Sequence, residues 1–419
     1  MGEFRIKIKY NLSVMKILQV LTSYEPAWAV GGSITATSNL CRALIRKGLE
    51  VTVYTTNADG TGGRLPVELG QPINLGGVEV WYFPYELGGR RAFYSRSLFQ
   101  QLRENVDKFD LVQAAGIWQW IGVKTSKIVS TSGRPLVVTP HSSLMKSSFY
   151  EVGNRWIKRN YWKFFGQKII DRATAVQFLC EGEREESQEF CRQTSSFIVP
   201  NGIDINKYKK NPEKRLALRK SLNLPETALL LLFLGRINPK KQIELIIEGL
   251  PSMLKLRPEI YFIISGPADD SDYLKKLKEL ALRLRVDSQI IWTGLIDHQQ
   301  VQDFYSASDL MVLPSKAEGI SMSLTEAMAA SLPLLISNRV ANYREIEADR
   351  AGLVTEPEAR SVKQALLRIC QEPGLLAELS KNARISAERR YDIEAVASLM
   401  IRAYEDIISG HKSPELYWQ

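Results

Sequence analysis

The sequence predicts the α/β fold class, with two doubly wound parallel-sheet domains facing across a cleft. Three observations predict it. From Met15 onward, short apolar strands alternate with longer amphipathic segments, the pattern of a parallel sheet covered by helices on both faces. The series breaks once, at Val199-Pro200-Asn201-Gly202, and then restarts. The chain has 419 residues, 45% hydrophobic and 24% charged, a globular composition long enough for two or three domains.

The elements follow in order. Lys16–Leu21 reads as a buried strand. A glycine-containing loop, Ala29–Ser33, leads into a helix ending near Arg46. Strands are expected at Glu50–Thr55, Val78–Phe83, Leu111–Ala114, Leu136–Thr139 and Ala175–Leu179. Beyond the break, lysines cluster between Lys207 and Lys220, with Pro212 and Pro225 as breakers. A second series then runs through Ala228–Leu234, Ile260–Ser265, Ile290–Trp292, Leu310–Leu313, Leu334–Ile336 and Gly352–Val354, with long helices between, such as Ser271–Arg285. Ligands of such sheets bind beyond the strands' C-terminal edges, so the two domains would enclose an interdomain site.

Composition narrows the function classes. Cys41, Cys180, Cys191 and Cys370 are scattered, with no Cys-x-x-Cys. That argues against structural zinc or a disulfide framework and for a reducing cytosol. Three histidines, His141, His298 and His411, are too few for a histidine-rich metal site. The longest strongly apolar run, Ala228–Leu234, is far below the roughly 20 residues of a spanning helix. No signal-peptide pattern opens the chain. Met1-Gly-Glu-Phe4, ahead of a second start-like methionine at Met15, reads as a cloning remnant. The net charge of +9 is uneven. Residues 1–200 carry 25 Lys/Arg against 17 Asp/Glu, whereas residues 201–419 carry 30 against 29. A basic first half calls for an anionic partner: a membrane surface, nucleic acid or an acidic substrate.

Two segments carry chemistry. Glu318-Gly-Ile-Ser-Met-Ser-Leu-Thr-Glu326 places two glutamates eight positions apart, between a strand and a helix. The helix N-terminus would aim free N–H groups at an anion. Ser323-Leu-Thr-Glu326 is a capping-box pattern, so Glu326 capping its own helix is the competing reading. Gly235-Arg-Ile-Asn-Pro-Lys-Lys241 follows an apolar strand directly. Arg236 and Lys241 there fit a phosphate clamp, a planar fork plus a point charge. An ordinary basic loop is the alternative.

With these residues in hand, the chain resembles a GT-B glycosyltransferase of the large retaining group GT4, over Met15 to about Ile408. The carriers are Glu318–Glu326, Gly235-Arg236 with Lys241, the hinge Val-Pro-Asn201-Gly202-Ile-Asp204, Gly31-Gly32, and the terminal helix with Tyr404. The resemblance implies two Rossmann-like domains. Residues 1–204 would bind the acceptor and 205–395 a nucleotide-sugar donor, with 396–419 as a helix crossing back onto the first. Arg236 and Lys241 would grip the donor diphosphate, and Glu326 the ribose hydroxyls. Glu318 would hold the sugar hydroxyls beside the N–H groups of Gly319, Ile320 and Ser321. The N–H groups of Met322 and Ser323 would meet the pyrophosphate. Leu295 and Ile296 would border the base. Gly32 would allow close approach to the phosphate. His141 matches the family's active-site histidine, positioning the sugar and stabilising developing charge rather than acting as a base.

Three positions depart from the family pattern. Ser321 and Gln242 stand where many members have glycine, and Ser265-Gly266-Pro267 lacks a second glycine. No departure removes a charged group from the site. The implied mechanism is front-face substitution with retention, a leaving phosphate oxygen taking the acceptor's proton. No metal or other cofactor is expected. Asp270-Ser-Asp272, a possible metal-nucleotide string, is read as the cap of a long helix.

The acceptor reading rests on the basic half. In Arg155–Phe165, Ile157, Tyr161, Phe164 and Phe165 share a helical face flanked by Arg155, Lys158, Arg159 and Lys163. That suits an anionic membrane surface, although a core-packed helix with solvated lysines is preferred, because the stripe must also cover the sheet. No nucleic-acid-binding signature appears. The expected partners are a nucleotide sugar and a glycan or lipid-linked acceptor. The expected location is the cytoplasm, with peripheral contact at the inner membrane face. UDP-hexose, with glucose first, is the preferred donor and GDP-mannose the runner-up, for a role in polysaccharide biosynthesis. The rivals are a GT-B-fold sugar-nucleotide epimerase and a non-enzymatic membrane-associated scaffold. A Rossmann oxidoreductase is weaker, since no Gly-x-Gly-x-x-Gly follows the first strand.

Overall fold

The computed structural model describes residues 14–86, 93–151, 154–297 and 299–410. The opening tetrapeptide and the end of the 396–419 segment lie outside these residues.

The first sheet has eight strands: β1 (Lys16–Val20), β2 (Glu50–Thr56), β3 (Pro72–Leu75), β4 (Val78–Phe83), β5 (Leu111–Ala115), β6 (Leu136–Thr139), β7 (Ala175–Phe178) and β8 (Ser195–Ile198). Their order is β3-β4-β2-β1-β5-β6-β7-β8, parallel except at the β3–β4 hairpin. The second sheet has six: β9 (Leu229–Leu234), β10 (Ile260–Ser265), β11 (Ile290–Gly294), β12 (Leu310–Leu313), β13 (Leu334–Ser337) and β14 (Gly352–Thr355). Its order is β11-β10-β9-β12-β13-β14, parallel throughout.

This is the expected pair of doubly wound domains. Strands β4, β6, β10 and β12 coincide with the expected ranges. The sequence reading missed β3 and β8. Both are edge strands, one opening on Pro72 and the other on two serines. Edge strands bury little and so lack a continuous apolar run. The helix expected to reach Arg285 ends at Arg283, because Arg285 turns left-handed at φ +56°.

Central β9 is Leu-Leu-Leu-Leu-Phe-Leu, covered on both faces and nearly all buried, as a middle parallel strand requires. The first sheet's two faces are covered separately. One is closed by the helix Ile393–Ile408, which buries Val396, Met400 and Tyr404 with Ile17, Val53 and Val137. The chain leaves the first domain at Ile203 and returns at Ile393. The two crossings are hydrogen-bonded: Ile203 N–H donates to the Tyr391 carbonyl at 2.8 Å and Ile393 N–H to the Ile203 carbonyl at 3.0 Å. Gly202 is packed so closely there that a Cβ would lie 2.6 Å from Ile393 Cδ1. The hinge sequence is therefore a crossing point where a side chain at position 202 has no room.

Candidate active site

The C-terminal ends of β9 and β12 deliver the charged groups. After β9, Asn238 caps the turn Pro239–Lys241 by accepting the Lys240 N–H at 3.2 Å. The turn presents Lys241, whose Nζ pairs with the Glu318 carboxylate from the loop after β12. Gln242 is buried at φ +47°, a left-handed conformation that explains why glycine suits this position. Arg236 is more open, 66% exposed, with Nη1 at 3.4 Å from Asp269 Oδ2. An exposed guanidinium held by one distant carboxylate can turn toward a ligand at little cost.

The helix Met322–Ala329 begins after Ser321, which is extended and makes no side-chain cap. The Met322 and Ser323 N–H groups therefore have no acceptor within the helix. The competing reading, a capping box, does not form. Ser323 Oγ meets Ser321 Oγ at 2.9 Å, while Glu326 turns into the core. There it accepts hydrogen bonds from Tyr208 at 2.9 Å and Tyr305 at 3.0 Å. Burial raises the Glu326 pKa, and the two hydroxyls oppose that shift. Two buried donors hold the carboxylate better than a cap at the frayed helix start would. Tyr208 and Tyr305 escaped the sequence reading. Tyr305 sits in the helix Val301–Ala307, with no local motif to mark it, and Tyr208 lay in the lysine cluster.

The two domains meet across this site. Gly32, opening the helix Gly32–Arg46, lies against Met322, and a Cβ would sit 2.6 Å from Met322 Cγ. Ser142, beside His141, abuts Gly319, where a Cβ would collide with Ser142 Oγ. Ile320 packs with Met145, Cys180 and Ala341. Gly32, Ser142, Gly319, Ile320 and Met322 thus line one interdomain seam, with His141 next to Ser142 in the chain and the Lys241–Glu318 pair next to Gly319. Leu295 and Ile296 follow β11: Leu295 is exposed, and Ile296 packs against the second core.

His141 has φ +48°. Its Nδ1 is buried without a hydrogen-bond partner among the described residues. Burial pushes its pKa down to about 4, so the ring is neutral near pH 7. His141 lines a cavity of about 20 Å³ with Gln19, Gln113, Thr139 and Gln177. These side chains form a hydrogen-bonded row across β1, β5, β6 and β7, and Tyr404 donates into it from the last helix. Scattered single glutamines in apolar strands gave no hint of this row.

Two other expectations meet the structure here. Asp270 accepts the Tyr273 N–H at 2.9 Å and caps the helix Ser271–Arg283. The core-packed reading of Arg155–Phe165 holds for Tyr161 and Phe165, which pack on Trp118 and Trp120, and fails for the rest of the stripe. The helix Arg155–Tyr161 has no buried residue, and Trp156, Ile157 and Phe164 are 74%, 57% and 53% exposed. A π-helical turn over Trp162–Gly166 breaks the 3.6-residue register that made the stripe look continuous. Tyr161 leaves the stripe for the core side, donating to the Ile117 carbonyl at 2.9 Å.

Comparison with known proteins gives the family and agrees with the fold. Residues 214–386 match the family model described as glycosyl transferases group 1, and residues 30–207 match glycosyltransferase family 4. An uncharacterised glycosyltransferase of Methanocaldococcus jannaschii is 22% identical over 407 residues, 93% of this chain and 98% of that protein. A D-inositol 3-phosphate glycosyltransferase of Xylanimonas cellulosilytica is 24% identical over 401 residues, 89% and 91% of the two chains. The Anabaena protein HepE, solved with UDP-glucose, superposes with a TM-score of 0.70 at 20% identity, over 94% of this chain and all of that one.

Proposed function

The chain belongs to the family 4, group 1 glycosyltransferases of GT-B fold and is a transferase, and on that premise we propose that it moves a hexose, glucose from UDP-glucose first, to a hydroxyl of a glycan or lipid-linked acceptor with retention. The observation that carries this reading is the Lys241–Glu318 pair beside the Met322–Ser323 helix start, opposite His141.

As the sugar–phosphate bond breaks, charge gathers on the diphosphate. Arg236, Lys241 and the Met322 and Ser323 N–H groups would stabilise it, preorganised where the charge develops. Glu318, released from Lys241 by the phosphate, would accept from sugar hydroxyls. Neutral His141 would orient the sugar by hydrogen bonding. The acceptor proton would pass to the leaving phosphate oxygen, without metal. UDP-glucose is preferred because the superposed HepE was solved with that donor. Trp156, Ile157 and Phe164, exposed beside Arg155, Arg159 and Lys163, support docking on an anionic membrane that carries the acceptor. No helix among the described residues is long and apolar enough to cross a membrane.

A thermal-shift panel of UDP-, GDP- and ADP-sugars tests the donor, since a ligand raises apparent stability by mass action. UDP-glucose should give the largest shift. A larger shift with a GDP-sugar would replace the donor, and an inverted anomer in the product would overturn retention.

A further inference from the structure

Glu183 is fully buried, and among the described residues no cation acts on its carboxylate. It lies in the short helix Glu181–Ser187, capped by Cys180. One carboxylate oxygen accepts the Leu179 N–H at 2.8 Å. That bond is local and serves the helix start. The other oxygen accepts the N–H of Ser142, 41 residues away in sequence, which no helix cap requires.

Ser142 and His141 are consecutive non-glycine residues at φ +62° and +48°. Each costs about 1 kcal/mol in this region, so the turn needs outside support. Other bonds brace its far side: Ser143 Oγ donates to the Pro140 carbonyl at 2.6 Å and Trp118 Nε1 to the Ser143 carbonyl at 3.2 Å. The bond to Glu183 acts at Ser142 itself, the residue that abuts Gly319 of the other domain. Placing a carboxylate in the interior is costly. Here the Leu179 and Ser142 N–H groups donate to it, the Ser142 side chain adds a bond of its own, and the Ser142 N–H fixes the seam.

We propose that Glu183 is a positioning residue of the transfer reaction, holding the His141–Ser142 turn against Gly319 through the Ser142 N–H. It touches neither donor nor acceptor in this role. The proposal rests on the reading of His141 as a site residue.

The test uses the full chain with Glu183→Gln, Glu183→Ala and, as a control that keeps the backbone N–H, Ser142→Ala. Histidine-selective NMR reads the turn, with His141→Asn identifying its signal among three. Calorimetry with UDP reads the phosphate site, and UDP release from UDP-glucose reads turnover. Both Glu183 variants should shift the His141 signal and lower kcat about tenfold or more, with UDP affinity held within about twofold. Ser142→Ala removes the hydroxyl but keeps the N–H to Glu183, so it should shift the His141 signal much less than either Glu183 variant, and an equal shift would overturn the proposal. An unmoved His141 signal in folded Glu183 variants would overturn the proposal, as would UDP affinity falling in step with kcat. Hydrogen exchange on the wild-type chain decides independently of how the variants fold: the Ser142 amide should be protected, and exchange at open-loop rates would overturn the proposal. If the wild-type chain releases no UDP from UDP-glucose, the donor reading fails, while the NMR and exchange results still decide the role of Glu183.

Discussion

Lys241 Nζ is ion-paired with the Glu318 carboxylate, tying the turn after β9 to the loop after β12. The two side chains are only 13% and 21% exposed, so each partly offsets the desolvation of the other. A diphosphate entering the seam would compete for Lys241 and free Glu318 for hydroxyls. Lys241→Met should therefore lower kcat/KM by about 10²–10³-fold, the scale for removing one preorganised stabiliser. Arg236→Ala should also lower it strongly. The melting temperature of Arg236→Ala should stay near that of the parent, since this arginine is exposed. Steady-state kinetics with paired thermal melts checks both. Near-normal transfer by both variants would remove the phosphate-clamp assignment.

Glu326 makes a different kind of prediction, because its two oxygens already have donors. A carboxylate has about four acceptor sites, so a ribose hydroxyl could still donate to it. Tyr305→Phe should lower stability by about 1–3 kcal/mol, the cost of leaving a buried polar atom unpaired, and leave UDP affinity nearly unchanged. Glu326→Ala should lower both. Urea unfolding and UDP calorimetry separate these effects. Unchanged UDP affinity in Glu326→Ala would make Glu326 purely structural.

The contrast between Lys241 and Glu326 shows how far the sequence was legible. Lys241, Arg236 and the Glu318 loop sit at the ends of strands whose apolar runs are unambiguous, so their place in the fold could be read directly. The partners of Glu326 could not, because Tyr208 and Tyr305 come from segments 118 and 21 residues away and no local pattern joins them. The lysine-rich stretch around Pro212 likewise gave no sign of a buried member. Its Arg219 is buried, donating to the carbonyls of Ala307, Glu226 and Ala228 and pairing with Asp309 at 2.7 Å. A charge run reads as solvated until the tertiary fold supplies acceptors. The interdomain seam was legible only as a sum of motifs. That Gly32 and Gly319 each face a side chain of the opposite domain depends on how the domains close.

The His141–Ser142 turn and its buried glutamate should leave two opposite marks on the pH dependence of stability. The His141 pKa is about 4 when folded against an ordinary 6.5. Between those values the unfolded chain binds the extra proton, so stability falls as pH drops from 6.5 toward 4. The Glu183 pKa is about 7 when folded against 4.5. There the folded chain holds the extra proton, so stability falls as pH rises from 4.5 toward 7. Each effect amounts to roughly 3 kcal/mol at full extent. Urea unfolding from pH 4 to 8 should show His141→Asn losing the first dependence and Glu183→Gln the second. Parallel curves for the parent and both variants would contradict the burial that shifts these groups.

The exposed face of the helix Arg155–Tyr161 carries the last prediction. Trp156 and Ile157 point away from the core, and Phe164 joins them about two turns later, beside Arg155, Arg159 and Lys163. Lys158 does not belong to this face, because its Nζ donates to the Ser148 carbonyl at 2.6 Å. Aromatic rings give depth in an interface and cations give attraction to anionic lipid, and only the second is screened by salt. The parent chain should bind vesicles rich in anionic lipid at low salt and bind neutral vesicles weakly. Trp156→Ser with Phe164→Ser should lower partitioning about tenfold or more, from the apolar area withdrawn. Arg159→Glu with Lys163→Glu should lower it mainly at low salt. All four side chains are outside the core, so melting temperatures should not move. Equal sedimentation of the parent with anionic and neutral vesicles, or no binding at low salt, would leave the basic first half to an acidic glycan acceptor instead.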